Sequence, residues 1–134
     1  LHGSIADNLR LAAPTATDAE LIAVLDQVAL WPLIRQLPKG LDTELGERGL
    51  GLSGGQLSRL ALARLLLRDT PVWLLDEPTA HLDADTAELI HSLLERLSRG
   101  RTLLLVSHDL HGLDWADRVV TLGQPEHSEE GADV

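Results

Sequence analysis

Val72-Trp73-Leu74-Leu75 is an unbroken apolar run that ends on two carboxylates, Asp76 and Glu77. Such a run predicts a strand buried on both faces, with its acids emerging at the C-terminal end. Asp69-Thr70-Pro71 stands in front of it and breaks the preceding helical pattern. A second helical pattern follows over 85–99, with Ala87, Leu89, Ile90, Leu93, Leu94 and Leu97 on the apolar side. Gly100 suits the position just beyond that helix. Another apolar run, Thr102–Val106, then leads into Ser107-His108. In open α/β sheets ligands sit at the carboxyl ends of the strands. Asp76, Glu77 and His108 are therefore predicted at one sheet edge.

Upstream, Leu52-Ser53-Gly54-Gly55-Gln56 opens a long helical pattern that runs from about Gly55 to Leu67. Glycines lack a Cβ and let a backbone approach a ligand closely. A helix N-terminus carries unpaired N–H groups and a partial positive charge, which suits a phosphate. The Ser53 hydroxyl and the Gln56 amide can bond the same oxygens. Taken alone, the stretch reads equally as a glycine turn before a helix. The acids downstream favour the phosphate: Asp76 can hold Mg²⁺, directly or through water, and Glu77 can polarise a water for attack on a γ-phosphate. Arg59 and Arg64 read as ion-paired structural residues, and Arg68 suits the negative end of the helix.

In this order and spacing, Ser53-Gly54-Gly55-Gln56, Leu74-Leu75-Asp76-Glu77-Pro78, Leu82-Asp83 and Ser107-His108 resemble the nucleotide-binding domain of an ABC transporter. The likeness covers roughly residues 1–123, and the ordered set is specific although each motif alone is not. It implies an α/β fold, part of a P-loop NTPase (ABC ATPase) domain with mostly parallel strands. Residues 1–70 would form a helical subdomain carrying the signature, and 71–123 the C-terminal part of the catalytic core. It implies ATP and Mg²⁺ as cofactors and a second nucleotide-binding domain as partner, in a homo- or heterodimer. Ser53, Gly54, Gly55 and Gln56 would cover ATP held by the opposing domain. Asp76 would place Mg²⁺, Glu77 would act on water, and His108, the switch histidine, would contact the γ-phosphate of its own domain. The resemblance makes Asp83 the D-loop aspartate and a cofactor-binding residue, while Ala80 stands where that loop usually carries serine.

The formal charge of −10 argues against a nucleic-acid partner. There is no cysteine for a disulfide or thiolate site. Nothing approaches the roughly 20 consecutive apolar residues of a membrane span, and no secretory signal is visible. His2, His81, His91, His111 and His127 do not fall at metal-ligand spacing. A phosphate loop, G-x-x-x-x-G-K-[ST], does not occur. The chain therefore resembles the second half of a nucleotide-binding domain, expected not to hold ATP in the ordinary way by itself. A non-catalytic half that only completes a partner's site is the alternative reading.

Ser4 reads as an N-cap with Asp7 three residues on, and the stretch looks like the segment after the Q-loop in exporters. Asp18 is predicted to cap a helix with apolar Leu21, Ile22, Val24, Leu25 and Val28. A further helical turn is predicted over 31–37, stopped by Pro38-Lys39-Gly40. The polar loop 41–49 is similar to the X-loop of ABC exporters, which implies contact with the membrane domains through Glu44, Glu47 and Arg48. That places the chain at the cytoplasmic face of a bacterial inner membrane. The spacing from Leu41 to Gln56, with Asp76–Asp83, looks like the thiol (cysteine and glutathione) exporter of cytochrome bd assembly. A lipid, peptide or drug exporter is the competing reading. Val119–Leu122 is predicted as a last short strand, making about three, with exposed edges and apolar surface. Residues 124–134 read as a disordered acidic tail.

Overall fold

The computed structural model describes residues 2–47 and 49–123. Arg48 and the acidic tail at 124–134 lie outside the described residues. Helix α1 spans Ile5–Arg10 and opens with reciprocal bonds. Asp7 N–H donates to Ser4 Oγ and Ser4 N–H donates to Asp7 Oδ2, both at 3.0 Å. The backbone and hydroxyl bonds from Ser4 hold the Asp7 carboxyl below its ordinary range. Buried Asn8 is satisfied at the same end, donating to the Ser4 carbonyl at 2.8 Å.

Helix α2 covers Asp18–Gln27, and its cap is Thr17 rather than Asp18. Thr17 has the extended backbone a cap requires, and its Oγ1 accepts from Glu20 N–H at 3.2 Å. Asp18 is already helical, facing the positive end of the dipole and pairing with Arg10 at 2.7 Å. Helix α3 is a single turn, Trp31–Ile34, followed by a 3₁₀ turn at Gly40–Asp42. Helix α4, Gly54–Arg68, ends on Asp69 in the left-handed region.

Strand β1, Val72–Asp76, and strand β2, Thr102–Val106, pair in parallel with Asp76 opposite Val106. A parallel pair needs a crossover. Helix α5, Ala84–Leu97, provides it. Its N-cap is Asp83, whose carboxylate accepts from the Thr86 hydroxyl and from Thr86 N–H. These bonds, the hydroxyl's first, hold Asp83 below the ordinary carboxylate value.

Burial on β1 alternates, which corrects the expectation of a strand covered on both faces. Trp73 is fully buried and Leu75, Leu103 and Leu105 pack on the core. Val72, Leu74, Leu104 and Val106 turn outward, with Leu74 67% exposed. Among the described residues nothing covers that face, so period-two alternation decides burial. Val119–Leu122 forms no strand. No described segment offers it a partner ladder, and Leu122 is 92% exposed.

The core joins Leu9, Leu21, Leu25, Leu60, Ile90 and Leu94 across α1, α2, α4 and α5. Two arginines close the C-terminal end of α2, where helix carbonyls lack intrahelical partners. Arg59 of α4 donates to the Ala29 carbonyl at 3.0 Å, and Arg96 of α5 donates to the Gln27 carbonyl at 2.8 Å. The expectation of ion pairs is thus corrected. Neither Arg59 nor Arg64 has a carboxylate partner among the described residues. A carbonyl at a helix C-terminus carries partial negative charge and attracts a guanidinium without a carboxylate. Partial burial lowers the Arg59 pKa. Arg101 lies over the Trp73 ring, 5.0 Å from its centroid, and pairs with Asp69 at 2.9 Å.

Leu94→Ala should lower unfolding stability by about 2–5 kcal/mol, read as a smaller urea midpoint at unchanged slope. Because Asp83 is depressed in the folded chain, its cap contributes fully above the unfolded value of 3.8 and is lost as pH falls through the lower folded value. Asp83→Asn keeps a capping oxygen without the titration. The Thr86 amide shift should then lose its acid limb in an NMR titration, and an unchanged limb would refute the cap.

Candidate functional site

Four pieces of chain meet around α5. The first is the start of α4. Ser53 Oγ accepts from Gln56 N–H at 3.2 Å, and Gln56 Oε1 accepts from Ser53 N–H at 3.0 Å. Each of the two side chains expected to reach a phosphate is therefore engaged as an acceptor by the other residue's backbone N–H, leaving the hydroxyl proton and the amide Nε2 able to donate outward. The glycines have a packing reason of their own. A Cβ on Gly55 would collide with the Thr86 methyl group, and one on Gly54 would lie 3.0 Å from Leu82. Their lack of side chain lets the first turn of α4 lie against the entry to α5. Ser58 adds a cross-link, its hydroxyl donating to the Pro78 carbonyl at 3.3 Å.

The second piece is the end of β1. Asp76 is the last strand residue and is exposed. Glu77 follows in the left-handed region, φ 48°, an uncommon conformation for a side-chain-bearing residue. Its N–H still donates to the Val106 carbonyl at 2.8 Å, so the ladder holds while the chain turns away. The third piece is the end of β2. His108 N–H donates to Glu77 Oε1 at 2.8 Å, and His108 Nε2 lies 3.4 Å from the same oxygen. The His108 side chain is 96% exposed and that of Glu77 only 27%. The carboxylate is thus held by the His108 backbone, while the mostly exposed imidazole lies beside the same oxygen.

The fourth piece is the turn between β1 and α5. Ala80 N–H donates to the Glu77 carbonyl at 3.1 Å and Leu82 N–H to the Thr79 carbonyl at 3.2 Å. His81 sits at its tip with positive φ. The turn borders an open cleft of about 1040 Å³ lined by Glu77, His81, Glu88, His91, Ser107 and Trp115.

Asp76, Glu77 and His108 therefore share one sheet edge, and the Ser53–Gln56 turn rests on the Leu82–Thr86 segment beside it. No described hydrogen bond joins Ser53, Gly54, Gly55 or Gln56 to Asp76, Glu77 or His108. Among the described residues no three His, Cys, Asp or Glu side chains cluster as a metal cage. Mg²⁺ commonly keeps water and phosphate oxygens and takes only one or two carboxylates, so exposed Asp76 fits such an ion. The sequence assigns no role to Ser58, Thr79 or His91. Their contacts reach 12 to 20 residues along the chain and carry no local pattern.

The loop around Glu44 and Glu47 is more ordered than its polar composition predicts. Leu45 is buried, Leu45 N–H donates to the Gly3 carbonyl at 2.9 Å, and Ile5 N–H donates to Thr43 at 3.0 Å. Glu44 and Glu47 remain exposed.

A family model described as ABC transporter matches residues 2–80. Two putative multidrug export ATP-binding/permease proteins of Staphylococcus aureus, from strains bovine RF122 / ET3-1 and NCTC 8325 / PS 47, are 42% and 41% identical over 119 residues. The match takes in 89% of this chain and 21% of each relative, so the chain spans about a fifth of their length. Among solved structures, a bacterial Atm1-family ABC exporter with ATP bound superposes with a TM-score of 0.68 at 39% identity, over 81% of this chain and 19% of that one. The architecture is part of an ABC ATPase domain, with helices packed on parallel strands. On both sequence and fold, the chain belongs to the ABC transporter family.

Proposed function

We propose that the chain is the ATP-binding and ATP-hydrolysing part of an ABC exporter, coupling hydrolysis to transmembrane export. The observation that carries this reading is the pairing of Glu77 with His108 at the edge where Asp76 ends β1. Residues 1–70 serve as the helical subdomain and 71–123 as the C-terminal part of the catalytic core. The export relatives and the exporter of known structure support the transport class.

In this reading Asp76 holds Mg²⁺, which supplies charge neutralisation at the phosphates when bound. Glu77 orients a water and accepts its proton, from a position set by its bond to the His108 backbone. The solvent-exposed His108 imidazole contacts the γ-phosphate. The first turn of α4 donates N–H groups, the Ser53 hydroxyl and the Gln56 amide to a nucleotide on an opposing domain. Asp83 holds the start of α5, against which that turn is packed, so signature and D-loop keep one relative position. Catalysis of this kind is positioning and charge stabilisation. Exposed Glu44 and Glu47 meet the membrane domains, Arg48 being the third contact residue the sequence proposes, and the assembly works at the cytoplasmic face of the bacterial inner membrane. The formal charge of −10 argues against a nucleic-acid partner.

For the exported substrate we propose a thiol, cysteine or glutathione, on the pattern of the Leu41–Gln56 and Asp76–Asp83 segments. Drug export is the second reading, favoured by the multidrug description of the relatives.

Glu77→Gln in the assembled exporter should lower the hydrolysis rate by roughly 10²-fold or more while nucleotide binding persists, measured as phosphate release. Hydrolysis that survives the substitution would move catalysis to another site. In inside-out vesicles, ATP-driven uptake of glutathione or cysteine should occur and be lost with Glu77→Gln. ATP hydrolysis without thiol uptake would eliminate the thiol reading and leave drug export to be tested with fluorescent amphiphiles.

A further inference from the structure

We propose that His91 is a positioning residue whose ring, midway along α5, ties the turn after β1 to the turn after β2. It thereby fixes the spacing of the segments that carry Glu77 and His108. The inference rests on the reading of those two residues as the hydrolytic pair.

On one side of the ring, His91 Nε2 lies 3.4 Å from Thr79 Oγ1. Thr79 is two residues from Glu77, in the turn braced by the Ala80 and Leu82 amides. On the other side the ring meets Gly112. A Cβ there would lie 2.5 Å from His91 Nδ1 and 3.3 Å from Cε1, and Gly112 has φ +79°. Space and backbone both demand glycine at this point. The turn around Gly112 is braced internally. Leu113 N–H donates to the Leu110 carbonyl at 3.1 Å, and Trp115 Nε1 donates to the Gly112 carbonyl at 2.9 Å. His111 N–H donates to Asp109 Oδ1 at 2.9 Å. Leu113 is buried. Fixing Gly112 therefore fixes the stretch that runs back to His108.

A ring that served only to fill space would not need a polar edge against Thr79. The charged and titratable groups around it are Asp109, His111 and Asp114 from the β2 side, Glu77 and His81 from the β1 side, and Glu88 and Glu95 on α5 itself. Partial burial disfavours the charged ring, with His111 acting in the same direction, and outweighs the attraction of Asp109, so the folded chain favours neutral imidazole. Its contribution is full above the ordinary value of 6.5 and is lost as pH falls through the lower folded value.

Hydrogen–deuterium exchange of the assembled transporter, corrected for intrinsic rates, reads both turns as peptides covering 78–82 and 109–116. In wild type, exchange in both should rise as pH falls below 6.5. His91→Leu and Gly112→Ala should speed exchange in both by roughly three- to tenfold, the worth of one hydrogen bond. His91→Gln keeps a side chain able to bond Thr79 but cannot titrate. It should restore protection and abolish the acid rise. Unchanged exchange in His91→Leu, or an acid rise that persists in His91→Gln, overturns the proposal. Phosphate release measured alongside should show a lower kcat at unchanged KM in His91→Leu and recovery in His91→Gln; unchanged kcat overturns the positioning role. Hydrolysis that survives Glu77→Gln would defeat the catalytic reading instead, and the exchange data would still report the tether.

Discussion

Parallel strands cannot be joined by a tight turn, and the crossover this forces is the element the rest of the structure leans on. Helix α5 carries Ile90, Leu93 and Leu94 into the core on one side. Its entry, capped by Asp83, receives the glycine turn of α4. Its last turn sends Arg96 to the end of α2. One helix thus sets where the signature turn, the acids after β1 and the histidine after β2 stand relative to each other. The chemistry proposed for this chain needs that relative position more than any single side chain.

The glycines at 54 and 55 show how one residue type can answer two demands. A backbone stripped of side chains suits a phosphate. The same stripping is required by Leu82 and by the Thr86 methyl group. A substitution there would push α4 off α5 before any ligand arrived, so loss of function at either glycine does not by itself identify a phosphate contact. The outward donors of Ser53 and Gln56 are better discriminators, because their capping bonds use acceptor atoms only.

Much of this arrangement was legible in the sequence because its signals are local. Ser4 with Asp7 announces a capping box, and Ser53 with Gln56 another. Two apolar runs separated by an amphipathic helix announce parallel strands whose polar ends share an edge, and Asp76 does stand opposite Val106. What failed was non-local. Thr17 displaced Asp18 as cap because backbone geometry, not side-chain preference, decides between adjacent cap formers. The run at Val72 predicts a strand buried on both faces, but burial depends on what else is near, and apolar residues alone do not set it. Val119–Leu122 has the composition of a strand and lacks a neighbour to pair with. Arg59 finds a backbone carbonyl at a helix end 30 residues away rather than a carboxylate, a partner that no local pattern announces.

The two guanidinium contacts at the end of α2 have a kinetic meaning. They join residues 30 and 69 positions apart, whereas the caps of α1 and α4 span three. Closing a longer loop costs more chain entropy before the contact that closes it repays the cost. Interactions absent from the transition state leave the folding rate almost untouched and slow unfolding instead. An arginine clasp that closes only after the barrier would act as a latch on the lifetime of the native state.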